Sequence, residues 1–154
     1  MAAGTFTLYR ANLDDMRIND LISATVKVAL VTSSYTPDAT NTGNALWSAV
    51  SANEIANGNG YTTGGATIAN DVVTAVTNGF KYASDNVLFN ASGTGIPAWR
   101  YAVLYVAGTL WGQTNPLVGF FLGDSTPANV PLTPDTYILQ LSCPAGGWFT
   151  LTQA

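Results

Sequence analysis

The sequence predicts an all-β protein, a single antiparallel β-sandwich or jelly-roll-like barrel of about eight or nine short strands. Short runs of β-branched and aromatic residues recur along the 154 residues, and turn signals rich in glycine, proline and asparagine separate them. We find no long amphipathic helix to supply the crossovers of a parallel sheet, so the strands are expected to be antiparallel. This length predicts one domain, residues 1–154, with residues 1–20 as an N-terminal arm or lead-in.

The first half of the chain contains one clear strand between less regular segments. Residues 24–32 alternate, with Val26, Val28 and Leu30 on one face, which is typical of a strand. Asn12 is expected to cap a turn of helix, and Leu46 and Val50, four residues apart, are expected to face the core from another. In order, the flanking segments are predicted as a strand at 5–10, a turn of helix at 12–20, a surface loop at 33–44 and a helical turn at 45–51.

The second half carries most of the strands. Residues 98–107 are almost continuously apolar, which indicates a central strand covered on both faces, with Tyr101, Val103 and Tyr105 on one side. Asn78 followed by glycine predicts a hairpin turn. The strands predicted in this half are 71–76, 79–83, 86–89, 98–107, 117–122, 137–142 and 148–152.

Residues 54–69 form a glycine-rich corner around which the chain is organised. Glycine adopts positive φ at little cost, so the backbone is expected to make several tight turns here. Tyr61 lies between the glycine pairs and is expected to pack its ring on the core, with Ile55 and Ile68 as inward anchors. A phosphate-binding loop is not expected, because no strand precedes the segment, no helix follows it and it contains no lysine. The corner residues are Gly58, Gly60, Tyr61, Gly64 and Gly65.

Charged residues are scarce, and this bears on the partners of the protein. They make up 9% of the chain against a usual quarter, while 47% is hydrophobic and the mean hydropathy is +0.21. A surface covered by threonine, asparagine and glycine resists association poorly, so we expect a homo-oligomer or another assembly. With a net charge of −4 and five dispersed basic residues, nucleic-acid binding is not expected. The sequence shows neither a signal peptide nor a run of about 18 apolar residues, which predicts synthesis in a cytoplasm and no membrane span.

Catalytic residues are not apparent, and no enzyme, cofactor or metal site is predicted. The chain has no histidine, which excludes Ser-His-Asp and Cys-His arrangements. Its one cysteine, Cys143, excludes an internal disulfide and is expected to be a small buried hydrophobe. A pair of carboxylates could support glycoside hydrolysis, but the acids stand singly at turns, where such side chains normally bond to backbone amides.

The four tryptophans raise a second function, a carbohydrate-binding module. Trp47, Trp99, Trp111 and Trp148 could stack on sugar rings, although Trp99 and Trp148 begin strands and are expected to pack in the core or at an edge. Trp111 stands in a hairpin-like loop and is expected to be exposed. Together with Leu110 it makes a candidate protein interface.

A series of segments along the chain forms an ordered pattern. It runs in order from about residue 21 to about residue 152, so it is more specific than any one motif. The segments are 26–32, 35–37, Trp47, Glu54, 60–65, 85–89, 100–105, 116–119 and 147–151. In this order they resemble a group of small bacteriophage virion structural proteins. The chain departs from the pattern at residues 120–123, Phe-Phe-Leu-Gly, where an acidic residue is expected.

The resemblance implies a structural protein of a phage particle, located in the virion and made in the host cytoplasm. It implies most directly a capsid decoration, or cement, protein that binds the major capsid protein where subunits meet, commonly as a trimer. A tail, neck or fibre component of the same particle is the alternative. No catalytic residues carry over from the resemblance.

Overall fold

The computed structural model describes residues 3–39, 45–126 and 128–153. Every strand pair in this part of the chain is antiparallel, and the sheets form a sandwich-like all-β fold without a closed barrel. The prediction of antiparallel all-β architecture is confirmed, in its sandwich form. The strands are β1 (Thr7–Leu8), β2 (Val26–Val31), β3 (Ala66–Thr67), β4 (Val72–Val76), β5 (Gly79–Ala83), β6 (Val87–Asn90), β7 (Tyr101–Val106), β8 (Thr109–Leu110), β9 (Gln113–Thr114), β10 (Leu117–Leu122), β11 (Ile138–Leu141) and β12 (Phe149–Thr152).

The strands form four sheets in the described residues. The largest has the order β1-β10-β7-β2-β3, and a three-stranded sheet has the order β12-β5-β4. Two strand pairs complete the set, β11 with β6 and β8 with β9. Each strand predicted from the sequence overlaps an observed one. The strands that were not predicted, β3, β8 and β9, have two residues each, too few to show an alternating pattern.

The central strand β7 is covered on both faces, as its continuous apolar sequence predicts. Ala102, Leu104 and Val106 belong to the main core, which the other sheets share. Val103 and Tyr105 point to the opposite side, where they join a second buried cluster. The five-stranded sheet therefore separates the main core from the second buried cluster.

Four short 3-10 helices connect the strands of the described residues, at Arg10–Asn12, Ile18–Ser23, Trp47–Ala49 and Ser51–Asn53. They lie within or next to the segments predicted as helical turns, and Val50 is buried as expected, whereas Leu46 is only half-buried and forms a bridge with Pro116. The part of the predicted loop 33–44 from residue 40 onward lies outside the described residues.

The role predicted for Asn12 as a helix cap is wrong. Asn12 lies inside the first 3-10 helix and is fully buried. Its amide nitrogen donates to the carbonyl oxygens of Ala45 (3.0 Å) and Leu117 (2.6 Å), and its side-chain oxygen accepts from Gln113 (3.1 Å). The side chain therefore ties distant segments together, because a buried amide must satisfy both its donors and its acceptor.

Candidate interaction surface

The glycine-rich corner is fixed by hydrogen bonds that centre on Tyr61 and Glu54. The hydroxyl of the buried Tyr61 accepts from the backbone amide of Leu30 (3.0 Å) and donates to Oε1 of Glu54 (2.6 Å). The same carboxylate oxygen accepts from the backbone amide of Gly64 (2.6 Å). The Tyr61 ring stacks on Phe89, with centroids 5.5 Å apart. This network pins the corner to β2 and to β6, so the corner is a structural element of the fold.

The four corner glycines all have positive φ: +110° at Gly58, +92° at Gly60, +87° at Gly64 and +74° at Gly65. Two of them also allow a close backbone approach. A Cβ on Gly60 would lie 1.8 Å from the carbonyl oxygen of Asn90, and one on Gly65 would lie 2.0 Å from that of Val28. The corner thus needs glycine for its conformation, and at two positions for space as well. The inward anchors Ile55 and Ile68 are buried as predicted.

The predicted exposure of Trp111 is wrong. The residue has φ of +53° at the turn between β8 and β9, and its half-buried ring packs against the main core together with Leu110. Its indole nitrogen donates to Oδ2 of Asp20 (3.1 Å). The strand pair folds back onto the Ile18–Ser23 helix, so Leu110 and Trp111 offer less free surface than a projecting loop would. Their use as an interface stays a prediction.

The other three tryptophans are buried, which removes them as sugar platforms. Trp99 and Trp148, which lie just before β7 and β12, are 2% and 4% exposed, in agreement with the packing expected of them. Trp47 lies flat on Tyr105, with ring centroids 4.4 Å apart and an interplanar angle of 7°. A ring whose faces are covered by protein cannot stack on a sugar.

Burial raises the pKa of five of the seven tyrosines. For Tyr105, burial and then the nearby Glu54 carboxylate raise the pKa to about 12. Burial, followed by the hydrogen bonds donated to Glu54 and Asp71, raises the pKa values of Tyr61 and Tyr82 further. The hydroxyls of Tyr9 and Tyr35 hydrogen-bond to each other (2.5 Å), and burial raises the pKa of both.

These shifts predict that the protein loses stability in alkaline solution. A tyrosine whose pKa is higher in the folded than in the unfolded chain contributes stability that is complete below about pH 10 and is lost as the pH rises through the folded value. In a titration followed by absorbance at the phenolate wavelength, these five tyrosines should therefore ionise only above pH 10. Their ionisation should coincide with the loss of the near-ultraviolet circular dichroism of the folded protein. In urea all seven should ionise near pH 10. Native ionisation of all seven near pH 10, with the fold retained, would contradict the buried arrangement.

Large apolar side chains are exposed on the outward face of the strand pair β6–β11. Leu88 is 50% exposed and Ile138 is 59% exposed, whereas Val87 and Phe89 turn inward and are buried. In the register of the pair, Gln140 is opposite Leu88 and Ile138 is opposite Asn90, so Leu88 and Ile138 are diagonal neighbours on one face. Tyr137, directly before β11, is 63% exposed. We call Leu88 and Ile138 the ribbon patch.

A second apolar row lies on the three-stranded sheet. Phe80 and Tyr82 occupy the same face of β5, but Tyr82 is buried by the core and Phe80 is 51% exposed. The register places Ala75 and Leu151 on either side of Phe80. The face of this sheet that packs on the core at Tyr82 is therefore exposed at Phe80. We call Ala75, Phe80 and Leu151 the hairpin row.

The strands of the ribbon patch carry no charge, which distinguishes this face from an ordinary solvated one. β6 reads Val-Leu-Phe-Asn and β11 reads Ile-Leu-Gln-Leu. Depletion of charge together with exposed large apolar residues is typical of the centre of a protein interface. The ribbon patch is therefore the best candidate contact surface on the described part of the molecule.

Comparisons with protein-family models, with curated proteins and with solved structures found no match to this chain. Within residues 3–39, 45–126 and 128–153, no three His, Cys, Asp or Glu side chains are grouped so that they could hold a metal ion. In the same part of the chain, no helix is both long and apolar enough to cross a membrane. The role of the protein must therefore be inferred from its own sequence and surface.

Proposed function

We propose that the protein is a structural component of a bacteriophage particle, most specifically a capsid decoration protein that stabilises contacts between major capsid subunits. The observation that carries this proposal is the ribbon patch, an uncharged strand face with two large aliphatic side chains half exposed or more. Burial of such a face against a partner protein is favourable, because it removes the apolar side chains from water. The resemblance of the sequence to small phage virion proteins supports the phage context.

The energetics suit a protein that acts in many copies. Full burial of a large apolar side chain stabilises by about 1.5 to 3 kcal/mol, so covering the already half-buried Leu88 and Ile138 contributes roughly 1 kcal/mol each. One contact of this size is weak. A decoration protein repeats the contact over the whole shell. When several such contacts are linked, the overall affinity rises although each single contact stays weak.

We propose that copies also associate with each other, with the trimer favoured on the resemblance. The hairpin row belongs to a different sheet from the ribbon patch. In this proposal the hairpin row contacts other copies and the ribbon patch contacts the shell. Closed rings are the usual outcome of such self-association. In this arrangement each ring would hold several ribbon patches against neighbouring capsid subunits.

Particles that lack the protein provide the test. They should assemble at normal size but release their genome at a lower temperature than complete particles, and added purified protein should restore the release temperature. Cryo-microscopy of the restored particles should show density in many copies on the outer capsid surface. An unchanged release temperature would contradict the cement role.

The same images separate the alternative location. A tail, neck or fibre component could use the same apolar face, but it would appear as a few copies on the tail axis. That result would replace the decoration role with the alternative and leave the structural role in place. Absence of the protein from purified particles would contradict both.

A further inference from the structure

Three asparagines of the chain are followed directly by glycine, namely Asn57, Asn59 and Asn78. An asparagine in this context can lose its side-chain amide, because the backbone nitrogen of the next residue attacks Cγ and glycine leaves that nitrogen unhindered. The attack forms a cyclic succinimide and releases ammonia. Water then opens the ring to aspartate or to isoaspartate, in which the backbone continues through the side chain. The fold places the three peptides in different surroundings.

The backbone conformation protects two of the three peptides. Asn59 and Asn78 have φ of +55° and +59°. In this left-handed conformation the nitrogen of the next residue points away from the side chain, so it cannot reach Cγ unless the backbone rotates. The glycines that follow have no room for this rotation. An added Cβ would lie 1.8 Å from a backbone carbonyl oxygen at Gly60 and 2.0 Å from one at Gly79.

Further hydrogen bonds hold the same two asparagines in place. The backbone oxygen of Asn59 accepts from the amide of Ser92 (3.0 Å), and its Oδ1 accepts from the amide of Thr94 (3.3 Å). The backbone oxygen of Asn78 accepts from the amide of Gln153 (2.8 Å). Attack at either position therefore requires that packed and bonded backbone move first.

Asn57 differs from both in conformation and in space. It is exposed and has a negative φ. An added Cβ on Gly58 would meet no atom within 4 Å, so the peptide between the two residues has space to rotate. Conformation, exposure and free space thus all distinguish Asn57 from the other two asparagines.

Two hydrogen bonds at this peptide have opposite effects on the attack. The amide of Thr63 donates to Oδ1 of Asn57 (3.0 Å), which stabilises the negative charge that develops on this oxygen when Cγ is attacked. The amide of Gly58 donates to the carbonyl oxygen of Tyr61 (2.8 Å) and must leave it before its nitrogen can attack. Gly58 and Tyr61 form an isolated bridge outside the strands, and local opening of such a segment costs little free energy.

We propose that Asn57 is a modification site, where deamidation produces aspartate and isoaspartate before Asn59 or Asn78 reacts. Either product adds a negative charge to the corner that already holds Glu54. Isoaspartate also lengthens the backbone ahead of Gly58, which misaligns the bridge to Tyr61. The proposal concerns the chain by itself and does not depend on the phage assignment.

Peptide mapping of the aged protein tests the proposal. We would incubate the folded full chain in mildly alkaline buffer, digest it and locate the modified residues by mass spectrometry with fragmentation, which separates Asn57 from Asn59. Asn57 should react at least about tenfold faster than Asn59 and Asn78, because opening an exposed turn costs less free energy than moving a packed one. In urea the three should react at similar rates. Equal rates in the folded protein, or a faster reaction at Asn59 or Asn78, would overturn the proposal.

The variant Asn57→Gln is the matched control, because glutamine keeps the amide but would have to close a larger and less favourable ring. It should lose the early product and leave the slow reactions at Asn59 and Asn78 unchanged. An early product of the same amount in Asn57→Gln would assign the modification to another residue and contradict the proposal.

Discussion

Replacing Gly65 with alanine is expected to reduce the free energy of unfolding by roughly 3 to 5 kcal/mol, because two costs add at this position. The residue has φ of +74°, which L-amino acids adopt only with strain. The new Cβ would also lie 2.0 Å from the carbonyl oxygen of Val28 on β2. Either β2 or the corner would have to move, and the Tyr61 hydroxyl, which bonds to Leu30 of the same strand, would be displaced with it.

Two further glycines separate these costs. Gly64 has φ of +87°, but its nearest neighbour would be the Tyr105 hydroxyl at 3.3 Å, so Gly64→Ala should cost only about 1 to 2 kcal/mol. Gly146 has neither a positive φ nor any atom within 4 Å of an added Cβ, so Gly146→Ala should change stability by less than about 0.5 kcal/mol. Urea unfolding of the three variants measures the series. A Gly65→Ala variant as stable as Gly146→Ala would contradict the close approach of the corner to β2.

The success of the sequence predictions follows from the range of the interactions involved. Alternation of apolar residues is a local property, so Val26, Val28 and Leu30 reveal both the strand and its buried face. The glycine-rich corner is local too, because positive φ depends mainly on the residue itself. These features could be predicted because the packing of distant segments favours the same backbone conformation that the local sequence prefers.

The failures involve side chains whose partners are distant in sequence. Asn12 has the residue type of a helix cap, but its partners include Leu117 and Gln113, about a hundred residues away. Trp111 is held by Asp20, ninety-one positions earlier. No local pattern can identify such partners, so the burial of these two residues could not be foreseen.

The ribbon patch shows the same limit for function. Alternation places Val87 and Phe89 on one face of their strand and therefore Leu88 on the other. Whether that other face is covered depends on which sheets pack against it, and in the described structure none buries it. Composition could predict that some apolar surface would be shared with partners, but only the pairing of β6 with β11 brings Leu88 and Ile138 together.

We expect the double substitution Leu88→Asp with Ile138→Asp to weaken binding to decoration-free particles at least about 100-fold, which corresponds to roughly 3 kcal/mol. The substitution removes two apolar contacts and would place two carboxylates in an interface without partners, where burial of an unpaired charge is costly. Both side chains are half exposed or more, so the free energy of unfolding should change little. Co-sedimentation with particles measures the binding.

Two controls make the result specific to the ribbon patch. Leu88→Asn with Ile138→Asn removes the apolar contacts without adding charge, so it should lose less affinity than the aspartate pair and show how much of the loss comes from the carboxylates. Phe80→Asp changes a residue of similar exposure, 51%, on the hairpin row. It should leave binding of single copies to the shell unchanged but weaken the association of copies with each other. If Phe80→Asp abolishes shell binding while the ribbon double variant binds normally, the hairpin row is the capsid surface.

Binding of wild-type protein to the particles should also depend only weakly on salt concentration, because the ribbon strands contribute no charges that salt could screen.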